Sequence, residues 1–188
     1  MTELPNGYSK ALNIDLQKNK RLAVLVNVTA LFIMAVMIIA AVFFIPFKTF
    51  FNTDNILIYV IRFLVVGLGM VAYIFLHELV HGIFMKHFSG VKPHYGFTGL
   101  YAYAGSSAYF DRKQYIIIAL APIAILGIIL LMINCIVPKA WFWVIYIIQI
   151  TNISGAAGDI YVTYKMLRLP ATLLVNDTGV SMTVYTEN

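Results

Sequence analysis

From Leu22 to Phe47 the chain runs 26 residues without a charge, and three further stretches come close to it: Leu57–Phe84, Gln114–Val137 and Trp141–Met166. A helix rises about 1.5 Å per residue, so about 20 apolar residues cross the hydrocarbon core of a bilayer. In lipid each backbone N–H and C=O must find its partner inside the segment, which a helix provides. The expected fold is an all-α membrane protein with about four transmembrane helices. Hydrophobic residues make up 61% of the chain and charged ones 11%, more apolar surface than a water-soluble domain of 188 residues can hide.

Turn signals separate the runs. Pro46, the Asn52-Thr53-Asp54-Asn55 cluster and Pro138-Lys139 close the short connections. Trp141 and Trp143 open the fourth run as an interfacial belt would, and Pro122 and Gly127 suggest a kink in the third. The first run is too long for a cleavable signal and lacks a small-residue cleavage site. The organisation expected is an N-terminal cytoplasmic segment (1–21), a four-helix membrane domain (22–166) and a cytoplasmic tail (167–188). The single Cys135 excludes a disulfide framework or a thiolate metal site and reads as a small core hydrophobe.

Charge placement orients the chain. Lys10, Lys18, Lys20 and Arg21 precede the first span; Lys86, Lys92, Arg112 and Lys113 lie between the second and third; Lys165 and Arg168 follow the fourth. The other two loops hold only Lys48 and Lys139. By the positive-inside rule both termini and the middle loop are cytoplasmic, in a multi-pass protein of the cell membrane. Basic residues that flank apolar runs form no patch for nucleic acid, so the partners expected are the bilayer and a membrane-associated protein or peptide substrate. Arg62, near the outer end of the second span, is expected to snorkel to the headgroups.

Within the second run stands His77-Glu78-Leu79-Val80-His81. Residues four apart on a helix lie on one face, so both imidazoles can reach one zinc ion, with Glu78 placed to take a proton from a water that the metal activates. Ionised residues inside a span cost about 2.5–3.5 kcal/mol each at mid-bilayer, a strain that chance placement does not explain.

A third ligand must come from elsewhere. Asp159 is the expected one. His77 lies 20 residues past Leu57, about 30 Å along its helix, and Asp159 lies 18 past Trp141, about 27 Å along a helix running the same way. Both reach the cytoplasmic boundary. Asn152, Gly155 and Asp159 share one helical face, and Asn152 is a candidate for holding the substrate or its developing oxyanion. The plainer alternative makes the two glycines packing residues and Asp159 an interfacial charge. His87 points away from the His77/His81 face, whereas His94 sits in a loop and could fold back. Asp177-Thr178-Gly179 offers one carboxylate where aspartic-protease chemistry needs a pair, and with Asn176 it reads as a turn between short strands.

Between Ser89 and Lys113 aromatics alternate with Gly, Ser and Ala, as in Tyr101-Ala-Tyr-Ala-Gly105, which predicts a short strand or hairpin on the cytoplasmic side between helices 2 and 3. Its bland role is a connector. An edge strand beside a metal site could instead bind an extended substrate by strand addition.

Three segments in order, His77-Glu-Leu-Val-His-Gly82, Gln114-Tyr-Ile-Ile-Ile-Ala-Leu-Ala-Pro122 and Asn152-Ile-Ser-Gly-Ala-Ala-Gly-Asp159, resemble the bacterial zincin peptidases of domain-of-unknown-function family 3267. The resemblance covers roughly Ile74 to Tyr185. The layout also looks like a reduced form of the site-2 protease group, in which an H-E-x-x-H helix is met by an aspartate from a later span. It departs from that group in one place: Gly158 precedes Asp159 where a glycine commonly follows the aspartate, and no proline is near. The resemblance implies zinc as cofactor, His77, His81 and Asp159 as its ligands, and Glu78 as catalytic base.

The function expected is therefore a zinc-dependent, membrane-embedded metallopeptidase acting near the cytoplasmic boundary. The alternatives are a non-catalytic zinc-binding membrane protein with a structural, regulatory or immunity-type role, and a metal transporter. A transporter should carry polar residues along several spans, and spans one and three offer little beyond Asn27, Thr29 and Asn134. A cysteine placed at Asn6 or at Thr98 should be labelled from the cytoplasmic side only. Labelling of either from outside intact cells would invert the orientation.

Overall fold

The structure is a computed structural model and describes residues 1–99 and 101–187. In chain order it contains β1 (Tyr8–Ile14), α1 (Lys20–Phe44), α2 (Ile56–Ser89), β2 (His94–Phe97), β3 (Ala102–Gly105), β4 (Tyr109–Asp111), α3 (Arg112–Ile136), α4 (Phe142–Gly155), α5 (Ala157–Arg168), β5 (Leu174–Asp177) and β6 (Met182–Glu187). Two short 3-10 turns, Phe47–Phe50 and Lys139–Trp141, join the helices.

Four helical stretches are long and apolar enough to cross a membrane: Lys20–Phe44, Ile56–Ser89, Arg112–Ile136 and Lys139–Arg168. They coincide with the four runs read from the sequence to within a few residues at most ends. Their outward faces are apolar, with Phe32, Phe43, Phe44, Leu68 and Ile136 exposed. Surfaces of this kind belong against hydrocarbon or another protein.

The helix ends follow local chemistry. Asn19 and Asn55 cap α1 and α2, their side-chain oxygens accepting the amides of Leu22 at 3.1 Å and Leu57 at 2.9 Å. Asp111 and Gln114 form a capping box at the head of α3: Asp111 Oδ1 accepts the Gln114 amide at 2.9 Å and Gln114 Oε1 accepts the Asp111 amide at 3.2 Å. At the far end of α2, Gly90 takes a φ of +72° and its amide closes onto the Lys86 carbonyl, the left-handed stop that glycine adopts without strain.

Strand content exceeds an all-α reading. The hairpin expected between helices 2 and 3 is present as β2–β3, antiparallel with His94 opposite Gly105. A second, four-stranded antiparallel sheet has the order β1-β6-β5-β4. It joins a strand of the first twenty residues to the tail, with Tyr8 opposite Glu187 and Leu174 opposite Tyr185. Such pairing across nearly the whole chain leaves little trace in local periodicity.

The chain divides into two compact units. One comprises residues 1–26, 76–122 and 158–188, the other 27–75 and 123–157. In the first, Met85, Phe110, Ile118, Met166, Leu173, Val175 and Val184 form a buried core. Inward Met182 and Val184 alternate with half-buried Thr183 and Tyr185 along β6, the period-two signature of a one-sided sheet.

Within the second unit, Trp143 is buried and its indole N–H reaches the Ile45 carbonyl at 3.2 Å, so it is a packing residue and not part of an exposed belt. Arg62 is likewise 3% exposed, with Nη1 donating to the Phe50 carbonyl at 2.5 Å. That corrects the snorkelling expectation: the Phe50 carbonyl of the first 3-10 turn accepts from one guanidinium nitrogen, while Nε has no hydrogen-bond partner among the described residues. Cys135 is exposed on its helix and not in a core.

Asp111→Ala should lower stability by about 1 kcal/mol through loss of the capping box. A thermal midpoint in detergent identical to wild type would show that α3 starts without it.

Candidate metal centre

α2 carries His77, Glu78 and His81, and α5 carries Asp159 in its first turn. Helix α4 stops at Gly155, and Ala156 leaves helical geometry at φ −85°, ψ 16° before α5 begins. Side-chain oxygens of Thr151 and Ser154 bond back to the Ile147 and Ile150 carbonyls, an arrangement that loosens the helix on the approach to this break. The restart makes Asp159 a first-turn residue, where the positive end of the helix dipole favours a carboxylate.

The two imidazoles and the carboxylate converge. His77 Nε2 lies 3.1 Å from His81 Nε2; Asp159 places Oδ2 3.3 Å from the first and Oδ1 3.6 Å from the second. Both histidines are buried, while the Asp159 side chain is 26% exposed. Ligand atoms about 2.0–2.2 Å from a tetrahedral zinc ion stand about 3.3–3.5 Å apart, so this spacing matches what the ion requires. Two imidazole nitrogens at 3.1 Å also need a proton or a cation between them. Among the described residues this is the one group of three or more His, Cys, Asp or Glu side chains with such convergence.

One imidazole is held by a second bond. The Ile118 carbonyl of α3 lies 2.8 Å from His81 Nδ1. A carbonyl oxygen only accepts, so Nδ1 carries the hydrogen, and in the neutral imidazole Nε2 is then the lone-pair nitrogen facing Asp159. That is the tautomer a ligand needs.

Glu78 is not part of the converging group. Its half-buried carboxyl faces the backbone amide of Ala104 in β3. Tyr95 of β2 lies over Gly82, where even a methyl group would collide with the phenol ring. That glycine is what lets the hairpin approach α2 one turn beyond Glu78.

Of the rival ligands, His94 is exposed and bonds the Thr178 carbonyl at 3.2 Å, and His87 is exposed on α2. The Asp177-Thr178-Gly179 segment is a turn between β5 and β6, with Asp177 Oδ1 accepting the Gly179 amide at 2.8 Å. Asn152 belongs to the other compact unit. It is fully buried, and Nδ2 donates to the Ile123 carbonyl at 3.2 Å.

The sequence reading missed one polar pair: the Tyr115 hydroxyl of α3 donates to Asp177 Oδ2 at 2.5 Å. Desolvation raises the Asp177 carboxyl above the ordinary carboxylate range, against the bonds from Tyr115 and Gly179 that pull it down. A cavity lined by Tyr101, Tyr115, Asp159, Tyr161, Asp177 and Met182 opens beside the metal group. No local pattern announced the pair, because its members lie 62 residues apart.

An H-E-x-x-H helix whose histidines meet a carboxylate from another helix has the ligand arrangement of a zincin-type site. Residues 70–174 match the family described as putative zincin peptidase, domain of unknown function 3267, and the chain belongs to that family. No curated protein and no solved structure matches the chain. The family implies zinc, and His77, His81 and Asp159 are the residues that fit it.

Purified protein should carry about one zinc per chain, lost in His77→Ala, His81→Ala and Asp159→Ala by elemental analysis. Full zinc in the Asp159 variant would remove it from the ligand set.

Proposed function

We propose that the protein is a zinc-dependent membrane metallopeptidase of the H-E-x-x-H type. In this reading it hydrolyses peptide bonds of membrane-associated proteins near the cytoplasmic boundary, with both termini in the cytoplasm. The observation that carries the proposal is the convergence of His77 and His81 of α2 with Asp159 of α5, with Glu78 in the next position of the same helix.

Zinc, when bound, supplies Lewis acidity that polarises the scissile carbonyl and makes water a better nucleophile near neutral pH. Glu78 acts as the base. It takes a proton from the attacking water and returns it to the departing amine, so the carboxylate is regenerated at the end of the cycle. His81, locked by Ile118, keeps its lone pair aimed at the group.

The hairpin offers a way to hold substrate. β2 and β3 form a sheet of their own, so among the described residues a strand edge stays open for an extended peptide. The Asp177–Gly179 turn lies against β3, with Ser106 N–H donating to the Asp177 carbonyl at 2.7 Å, so the substrate strand is added on the β2 side of the hairpin.

Glu78→Gln separates chemistry from architecture. The substitution keeps volume and removes the base, so the variant should stay folded and retain zinc while hydrolysis falls about 10²–10⁴-fold. The measurement is cleavage of co-expressed membrane proteins, with zinc content taken on the same preparations. Identical processing by variant and wild type would leave the zinc a structural role only.

A further inference from the structure

Ile118 and Pro122 stand four residues apart inside α3. In an α-helix the amide of residue i+4 closes onto the carbonyl of residue i, and proline has no N–H to give. The Ile118 carbonyl therefore loses its ordinary helical donor. Ile118 is 1% exposed and Pro122 is fully buried, so water is not a ready substitute. The donor it has instead is His81 Nδ1, at 2.8 Å.

We propose that Pro122 is a positioning residue of the metal centre, keeping the Ile118 carbonyl for His81 by withholding its own N–H. Pro122 reaches neither metal nor substrate. It acts through one backbone oxygen, which fixes the His81 ring orientation and the tautomer that presents Nε2 to His77 and Asp159. Any other residue at position 122 would place an N–H along the helix axis toward the same oxygen. The two donors would then share it, and the imidazole would lose its exclusive partner. This inference rests on the reading of His77, His81 and Asp159 as zinc ligands.

The test uses the full chain in detergent and needs no turnover. Zinc affinity is measured by competition with a chelator, for wild type, Pro122→Ala, and a variant with lactic acid at position 122, which keeps the alanine side chain but has an ester oxygen in place of the N–H. Loss of an outer-shell partner typically costs 10–100-fold in metal affinity, and sharing should fall at the low end, about tenfold for Pro122→Ala. The lactic acid variant should recover most of that loss. Thermal stability of Pro122→Ala should not fall, because alanine suits a helix interior better than proline. A merely structural proline would instead lower stability and affinity together.

Ring 15N shifts of the zinc-free proteins give a second readout, with the His81 signal identified by its absence in His81→Asn. Wild type should show hydrogen on Nδ1, and Pro122→Ala a mixture of tautomers. Equal zinc affinity in wild type and Pro122→Ala would overturn the proposal while leaving the zinc reading intact, as would equal weakness of the alanine and lactic acid variants. Should wild type bind no zinc, the metal reading fails, and the ring shifts still decide whether Pro122 sets the His81 tautomer.

Discussion

A polar side chain set in an apolar helix is tolerated only where it has a partner, since burial of an unpaired polar group costs about 2–7 kcal/mol. α2 carries two histidines and a glutamate at the end of such a helix, and each has its partner within the same compact unit. His81 has the Ile118 carbonyl on one nitrogen and the group with His77 and Asp159 on the other. Glu78 faces the Ala104 amide. The rest of that unit is arranged so that these partners arrive: α3 presents a carbonyl, α5 begins two residues before Asp159, and the hairpin lies against Gly82.

The two sheets divide the labour. The hairpin β2–β3 sits against the motif helix and supplies the amide that faces Glu78. The four-stranded sheet draws the tail back to β4 and the start of α3, so that Asp177 meets Tyr115. A carboxyl in this position is held against its desolvation cost by two donors, one of which, the Gly179 amide, closes the β5–β6 turn. The cavity beside Asp159 draws its walls from both the tail and α3. The tail is therefore part of the architecture around the metal group and not an appendage.

Much of this was legible in the residues alone. Four runs of apolar residues specify helices because hydrocarbon offers the backbone no other partner, and the observed helices follow them closely. The i, i+4 spacing of His77 and His81 specifies a shared face for the same geometric reason. Asp159 was reachable through depth along its helix, since 1.5 Å per residue converts sequence distance into position. Even the free carbonyl was written there: a proline four residues after Ile118 removes one helical donor wherever the helix goes. The Asn176–Gly179 turn was legible too, from side chains that favour tight reversals.

What the tertiary structure decided is everything that depends on a partner distant in the chain. Strand β1 carries few local strand signals and exists because β6 pairs with it, from Tyr8 opposite Glu187 to Ile14 opposite Met182. Arg62 and Trp143 looked interfacial by composition, but both are buried and donate to nearby backbone carbonyls. The Tyr115–Asp177 pair and the Ala104 amide at Glu78 have no periodicity to betray them. Local sequence determines which groups each helix presents and which of its own bonds are missing. Which distant donor or acceptor fills the gap is settled only when the helices and strands pack, because that choice depends on distances in space that residue spacing does not encode.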